Sequence, residues 1–204
     1  MQHKFSITDG LLKGNAVLEK GMVIAPIVVC CTTLQNALLV SLAFALITIA
    51  TVWICSFYSG NMSYALRMVC YAMTGAVVSF PALLICRIIN SGFYDSAGSM
   101  TAIYLPLLSV NSFIVLYADS YFYKLPEKTM PIVLLFHVLG FCATACMVGA
   151  IREILSMGTI MGNAVDIPIV MKGISAPWGG FILLGLLCAL HRVIFSKKDD
   201  DSCN

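Results

Sequence analysis

The chain has 204 residues, 60% of them hydrophobic and 11% charged, with a mean hydropathy of +0.93. A water-soluble domain carries roughly 25% charged residues, so this composition excludes a soluble globule and implies an integral membrane protein. A formal net charge of only +2 leaves no basic surface on which to expect nucleic acid.

The N-terminal stretch 1–20, MQHKFSITDGLLKGNAVLEK, is polar and is read as a cytoplasmic segment. It contains no short apolar core followed by a small-residue cleavage site, so no cleavable signal peptide is expected. A membrane domain over 21–195 follows, with six apolar segments bounded by charge or by Gly, Pro and Asn. They run approximately 22–34, 37–58, 68–89, 101–118, 130–150 and 178–195. A full span needs about 20 apolar residues. The first segment falls short of that and carries Pro26. The fourth, TAIYLPLLSVNSFIVLYA, is marginal and carries Pro106, with Ser109, Asn111 and Ser112 behind it. Residues 196–204, with the run KKDDD, form a solvated cytoplasmic tail.

The segments fall into two similar sets, about 21–90 and 100–195. Each set opens with a short Pro-containing segment and continues with two longer ones. Aligning Pro26 with Pro106 sets APIVVCCTT over LPLLSVNSF. Three spans per set is an odd number, so the two repeats must be inverted relative to each other. Short broken helices at the start of inverted repeats place their backbone near the bilayer midplane, facing protein or a cavity rather than lipid. The expected fold is therefore an all-α membrane protein: six transmembrane segments in two inverted three-helix repeats, with half-helices at the midplane. Pro26, Pro106, Asn111, Ser112 and Thr32 are the residues expected there.

Basic residues set the orientation. Lys4, Lys13, Lys20, Arg192, Lys197 and Lys198 lie in the terminal segments. Arg67, Lys124 and Lys128 lie in connections on the same side. Only Arg87, Arg152 and Lys172 fall on the other side. Both termini are thus expected in the cytoplasm.

Nine cysteines occur, at 30, 31, 55, 70, 86, 142, 146, 188 and 203. All but Cys203 fall in or beside apolar stretches, whereas a secreted disulfide framework would place them in polar loops. They read as small buried hydrophobes. Cys142 and Cys146 share one face of the fifth segment, with His137 off that face, and the small residues around them point to close helix packing. Cys30 and Cys31 point to different faces of a helix and are poorly placed to bind one metal. Asp119 closes the fourth segment as an interfacial carboxylate. Arg152 and Glu153, in GAIREILSMGTIMG, read as an interfacial anchor before a glycine-rich exit turn. No nucleophile elbow, zinc-protease helix, phosphate loop or dinucleotide fingerprint is present.

Four stretches together carry a resemblance. GLLKGNAVLEKGMVIAPIVVCCTTLQNAL, IYLPLLSVNSFIV, GAIREILSMGTIMG and APWGGFILLGLL occur in that order. They resemble blocks of the integral-membrane subunits of Rnf and Nqr electron-transport complexes, of the RnfE/NqrD type. The resemblance covers most of the chain. It implies six spans in two inverted halves and pairing with a homologous subunit of opposite topology, of the RnfA/NqrE type. It further implies other complex subunits, in a cytoplasmic (inner) membrane. In that family each such subunit contributes two cysteines from its half-helices to a two-iron, two-sulfur cluster, within a complex that couples electron transfer to sodium or proton pumping. Here the two matching positions are Ala25 and Ser112. Alanine has no donor atom, and a hydroxyl poorly replaces a soft thiolate. The expectation is a divergent, non-catalytic subunit that binds no cofactor alone, with an iron–sulfur cluster or flavin supplied elsewhere in the complex. A cluster moved onto Cys30 or Cys31 is the redox variant of this reading. The alternative function is a small-molecule or vitamin transporter component, with Asn111, Ser112, Ser109 and Thr32 as neutral polar ligands.

Overall fold

A computed structural model describes residues 11, 14–58, 62–90, 92, 103–114, 129–164 and 171–200. The expected segments around Asp119, and the ends of the fourth segment, lie outside these residues. Its α-helices are α1 (Ile24–Cys30), α2 (Leu34–Tyr58), α3 (Tyr64–Ile89), α4 (Met130–Met157) and α5 (Pro177–Asp200). Two 3₁₀ turns, Pro106–Val110 and Lys172–Ser175, and one hairpin of β1 (Thr159–Ile160) and β2 (Asn163–Ala164) complete the described elements. Among the described residues four helical stretches are long and apolar enough to cross a membrane: Leu34–Tyr58, Tyr64–Ile89, Met130–Met157 and Pro177–Phe195.

The core lies between α2 and α4, which run antiparallel. The pairing descends in order along α4. Glu153 meets Leu34, Gly149 meets Ala37 and Thr33, Cys142 meets Ser41, and Phe141 meets Phe44. A Cβ on Gly149 would lie 2.7 Å from the Ala37 Cβ and 2.8 Å from the Thr33 carbonyl oxygen. The glycine is what allows the two backbones to approach. Helix α3 is antiparallel to α2 as well, with the Cys86 thiol beside the Leu39 carbonyl and Tyr58 bonded to Thr74.

The short segments are short for a local reason. Val23 caps α1, so Pro26 stands in its first turn, where the missing N–H would have had no helical partner. Pro106 likewise opens its turn. Pro26 therefore starts its piece, whereas Pro106 stands between the helical residues 103–104 and the 3₁₀ turn that follows, and so interrupts a helical segment. Both stay short: α1 has 7 residues and the turn has 5. At 1.5 Å per residue α1 is only about 10 Å long, a fraction of the hydrocarbon thickness of about 30 Å.

The polar stretch before α1 is not simply a solvated arm. Asn15, Ala16 and Val17 are buried. Asn15 Nδ2 donates to the Gly140 carbonyl at 3.0 Å and to Thr144 Oγ1 at 3.1 Å, while its Oδ1 accepts from the amides of Val17 and Leu18. The Cys188 thiol of α5 lies 3.9 Å from the Val17 carbonyl. Gly140 halves the apolar run 130–150, so this polar stretch reaches the middle of the long helices.

Candidate functional site

The two short segments meet. The backbone amide of Val23, at the head of α1, donates to Ser112 Oγ at 3.4 Å. Val23 adopts φ 58°, ψ 32°, a left-handed conformation that costs a β-branched residue roughly 1–2 kcal/mol. Strain of that kind persists only where the surroundings over-determine the backbone. The junction rests on a ring cluster from three elements. Phe44 of α2 stacks on Phe141 of α4 at 3.8 Å, and Phe113 lies 5.8 Å from Phe44 and 5.7 Å from the buried His137.

Asn111 turns the chain at this point. Its Nδ2 donates to the Leu108 carbonyl at 2.6 Å and its Oδ1 accepts from the Ile114 amide at 2.8 Å. The side chain closes one helical piece and opens the next, so its carbonyl oxygen is already engaged. Ser109 Oγ donates back to the Pro106 carbonyl. Opposite this turn, a Cβ on Gly75 would lie 2.5 Å from the Ser109 carbonyl oxygen. Gly75 thus seats the second short segment against α3.

Thr32 lies elsewhere. It follows the far end of α1, where its Oγ1 accepts from Asn36 Nδ2 at 3.2 Å. The neighbouring Thr33 caps α2, its Oγ1 accepting from the Asn36 amide. Ser112 and Thr32 therefore occupy opposite ends of α1 and do not form one ligand set.

The far end of α1 is held by Arg152 and Glu153, and here the structure corrects the interfacial-anchor reading. Arg152 is fully buried. Its Nη1 donates to the carbonyls of Val28 (2.6 Å) and Cys31 (3.1 Å). Its Nε donates to Ile174 (3.1 Å), and its Nη2 to Ser175 (2.7 Å) and Ala176 (3.4 Å). A guanidinium has five N–H donors, and five backbone carbonyls receive them. Two belong to the C-terminal turn of α1, whose carbonyls have no helical partner. The other three belong to the chain leading into α5. Gly180 makes room for the group: a Cβ there would lie 3.2 Å from Arg152 Cζ and from the Val28 carbonyl oxygen. Glu153 faces the other way. Its Oε2 accepts from the Leu34 amide, the first of α2, at 2.8 Å. Its Oε1 accepts at 3.4 Å from both Thr159 Oγ1 and the Gly162 amide of the hairpin. The glycine-rich exit is thus Gly158, at φ 64° capping α4, followed by a tight turn at Met161 and Gly162, both at positive φ.

These residues do not fit an iron–sulfur cluster at the family positions. Ala25 offers no donor atom, and the Ser112 hydroxyl already receives a backbone N–H. Cys30 and Cys31 are buried and in no disulfide, and they lie at the Arg152 end of α1, not at the Ser112 end. Cys142 lies beside the Ser41 carbonyl, in the packed seam with α2. Among the described residues no three His, Cys, Asp or Glu side chains are grouped so as to hold a metal. Sequence reasoning missed the clasp because a charged pair at a segment end looks interfacial. The available signal was the pair Gly179-Gly180 in APWGG, two adjacent residues without side chains at a helix start.

A family model described as Rnf-Nqr subunit, membrane protein, matches residues 4–188. The chain is 28% identical to a subunit of the ion-translocating oxidoreductase complex of Shewanella oneidensis, covering 93% of this chain and 86% of that protein. The corresponding proteins from Shewanella baltica strain OS185 (28%) and Shewanella putrefaciens (27%) match over the same shares. The four blocks that carried the resemblance supply the Asn15 tether, the Ser112 junction, the Arg152–Glu153 clasp and the glycines that admit it. With a match spanning nearly its whole length, the chain belongs to the Rnf-Nqr family of membrane-protein subunits.

Proposed function

We propose that this chain is a membrane subunit of an ion-translocating electron-transfer complex, and a divergent one that supplies no iron–sulfur ligands of its own. The observation that carries the second half is the junction itself. The two short segments come together, yet the groups offered at the family ligand positions are the methyl of Ala25 and the hydroxyl of Ser112. The chain is then a structural and positioning element of the complex, with redox carriers on other subunits, a homologous subunit of opposite topology among them. The two inverted repeats, with α1 and the segment around Pro106 as half-helices, belong to the same reading. Two features support it: α1 begins beside the mid-depth Asn15 tether, and it ends at the Arg152 clasp near the end of α4. The transporter alternative loses its ligand set, because Thr32 is at the other end of α1 and the Asn111 oxygen is engaged by backbone.

The test is purification of the intact complex through a tag on this chain, followed by iron analysis and electron paramagnetic resonance. The expected result is co-purification with further membrane subunits, and a spectrum unchanged by Cys30→Ser or Cys31→Ser. Loss of a cluster signal with either change would instead place a relocated cluster on this chain.

A further inference from the structure

The loop between Asn15 and Val23 carries charge at a depth where lipid cannot solvate it. The Met22 amide donates to the Ala16 carbonyl at 2.9 Å, and the Glu19 amide to the Asn15 carbonyl at 3.1 Å. The loop is therefore closed on itself, and its tip stays within about one helical turn of Asn15 and Val17. Two contacts fix its level. Asn15 bonds to Gly140, about 15 Å from either end of the apolar run 130–150 at 1.5 Å per residue. Val17 meets Cys188, near the middle of the apolar part of α5. Glu19, Lys20 and Gly21 form the tip, and all three are exposed. The Glu19 carboxylate makes no hydrogen bond or ion pair with any described residue. A carboxylate facing hydrocarbon at this level is costly on every scale, and charged groups at membrane depth face protein or water instead.

Resting on the reading of this chain as a subunit of a membrane complex, the geometry points to the Glu19 tip as an interface with a second membrane-spanning subunit. That subunit presents a basic or hydrogen-bond-donating side chain opposite Glu19, deep in the bilayer. A water-filled crevice is the less favoured occupant, because on the Arg152 side the route to the surface is filled by α1 and the carbonyls clasped around it. The exposed apolar residues of α3, among them Val69, Met73, Val77 and Phe80, by contrast suit lipid.

Two measurements on the intact complex in native membranes test this. A benzophenone side chain placed at position 19 is expected to cross-link to one integral membrane subunit, at a residue within its span, while the same group at Val77 labels lipid. Glu19→Leu is expected to lower the recovered complex by more than about tenfold at unchanged chain level, since leaving one member of a buried charge pair unpartnered costs 2–5 kcal/mol and each 1.4 is tenfold. Glu19→Gln should fall less. Lipid adducts at position 19, or cross-links only to residues 1–13 of the same chain, would overturn the inference. So would aqueous-rate labelling of Glu19→Cys by an impermeant maleimide, or full recovery of the Glu19→Leu complex. Any of these outcomes alongside co-purifying subunits would leave the proposed function standing while removing the interface.

Discussion

Arg152 shows how a charged side chain can act as a backbone part. Its guanidinium donates to five carbonyls from two stretches of chain that are otherwise separate, the end of α1 and the approach to α5. Arg152→Gln leaves most of those carbonyls unpaired in a buried site, and removing one member of such an arrangement costs on the order of 3–5 kcal/mol. The expected outcome is loss of most monodisperse complex after mild heating in detergent. Arg152→Lys should recover only part, because an ammonium has three donors and no planar fork. Glu153→Ala should cost less, about 1–2 kcal/mol, as for loss of a helix cap. Equal stability of Arg152→Gln and the unchanged chain would remove the clasp from the account. This pair was visible in the sequence as a motif but not as a mechanism. An Arg-Glu pair at the end of an apolar run has the same pattern whether it meets water or meets carbonyls, and only the long-range partners at 28, 31 and 174–176 decide between them. The residues at the positions that match the family's ligands, Ala25 and Ser112, are identities rather than contacts and are read directly from the sequence.

At the level of elements, glycine sets which segments can touch. The four long helices were readable from their apolar length alone, and their order is as the sequence pattern implied. The inward position of Asn15, Ala16 and Val17 was not, because a stretch with charges at 13, 19 and 20 has the composition of a surface arm. Its burial depends on a tether to Gly140, 125 residues away, which no local pattern encodes. The seat of the second short segment was hidden for the same reason. It depends on Gly75, whose absent side chain lets the Ser109 carbonyl approach α3. Gly75→Ala would place a methyl against a backbone oxygen that cannot rotate away. Overpacking of this kind costs typically 1–3 kcal/mol. Gly185→Ala is the matched control, since a Cβ there meets nothing within 4 Å, and alanine favours a helix interior. The expected result is a lower midpoint in a detergent thermal-retention assay for Gly75→Ala and none for Gly185→Ala. Equal midpoints would mean that the turn at 106–110 is not held by this contact.

For the whole molecule, the clasp also sharpens the question of orientation. Glu153 against Leu34, and Arg152 against Ser175, bring the start of α2, the end of α4 and the start of α5 to one end of the bundle. The antiparallel α3 finishes there too. Arg152 counted among three basic residues at this end, but its charge is enclosed by carbonyls and does not belong to a loop. Only Arg87 and Lys172 remain. The opposite end holds Arg67 near the start of α3 and Arg192, Lys197 and Lys198 toward the end of α5; the sequence pattern assigns Lys4, Lys13, Lys124 and Lys128 to the same side, while Lys20 sits on the deep loop and adds little to an interfacial count. The bias toward basic residues on the cytoplasmic side therefore survives both corrections, and it predicts the hairpin 159–164 outside and both termini inside. Met161, at the hairpin tip, is exposed and makes a suitable reporter position. In intact cells, Met161→Cys is expected to react with a membrane-impermeant maleimide in a background from which native labelling has been subtracted. A green fluorescent protein joined after Asn204 is expected to fluoresce, which it does only when it folds in the cytoplasm. A dark fusion together with a hairpin cysteine that reacts only after the cells are opened would require the opposite orientation, and would place the clasped end of α1 on the cytoplasmic face.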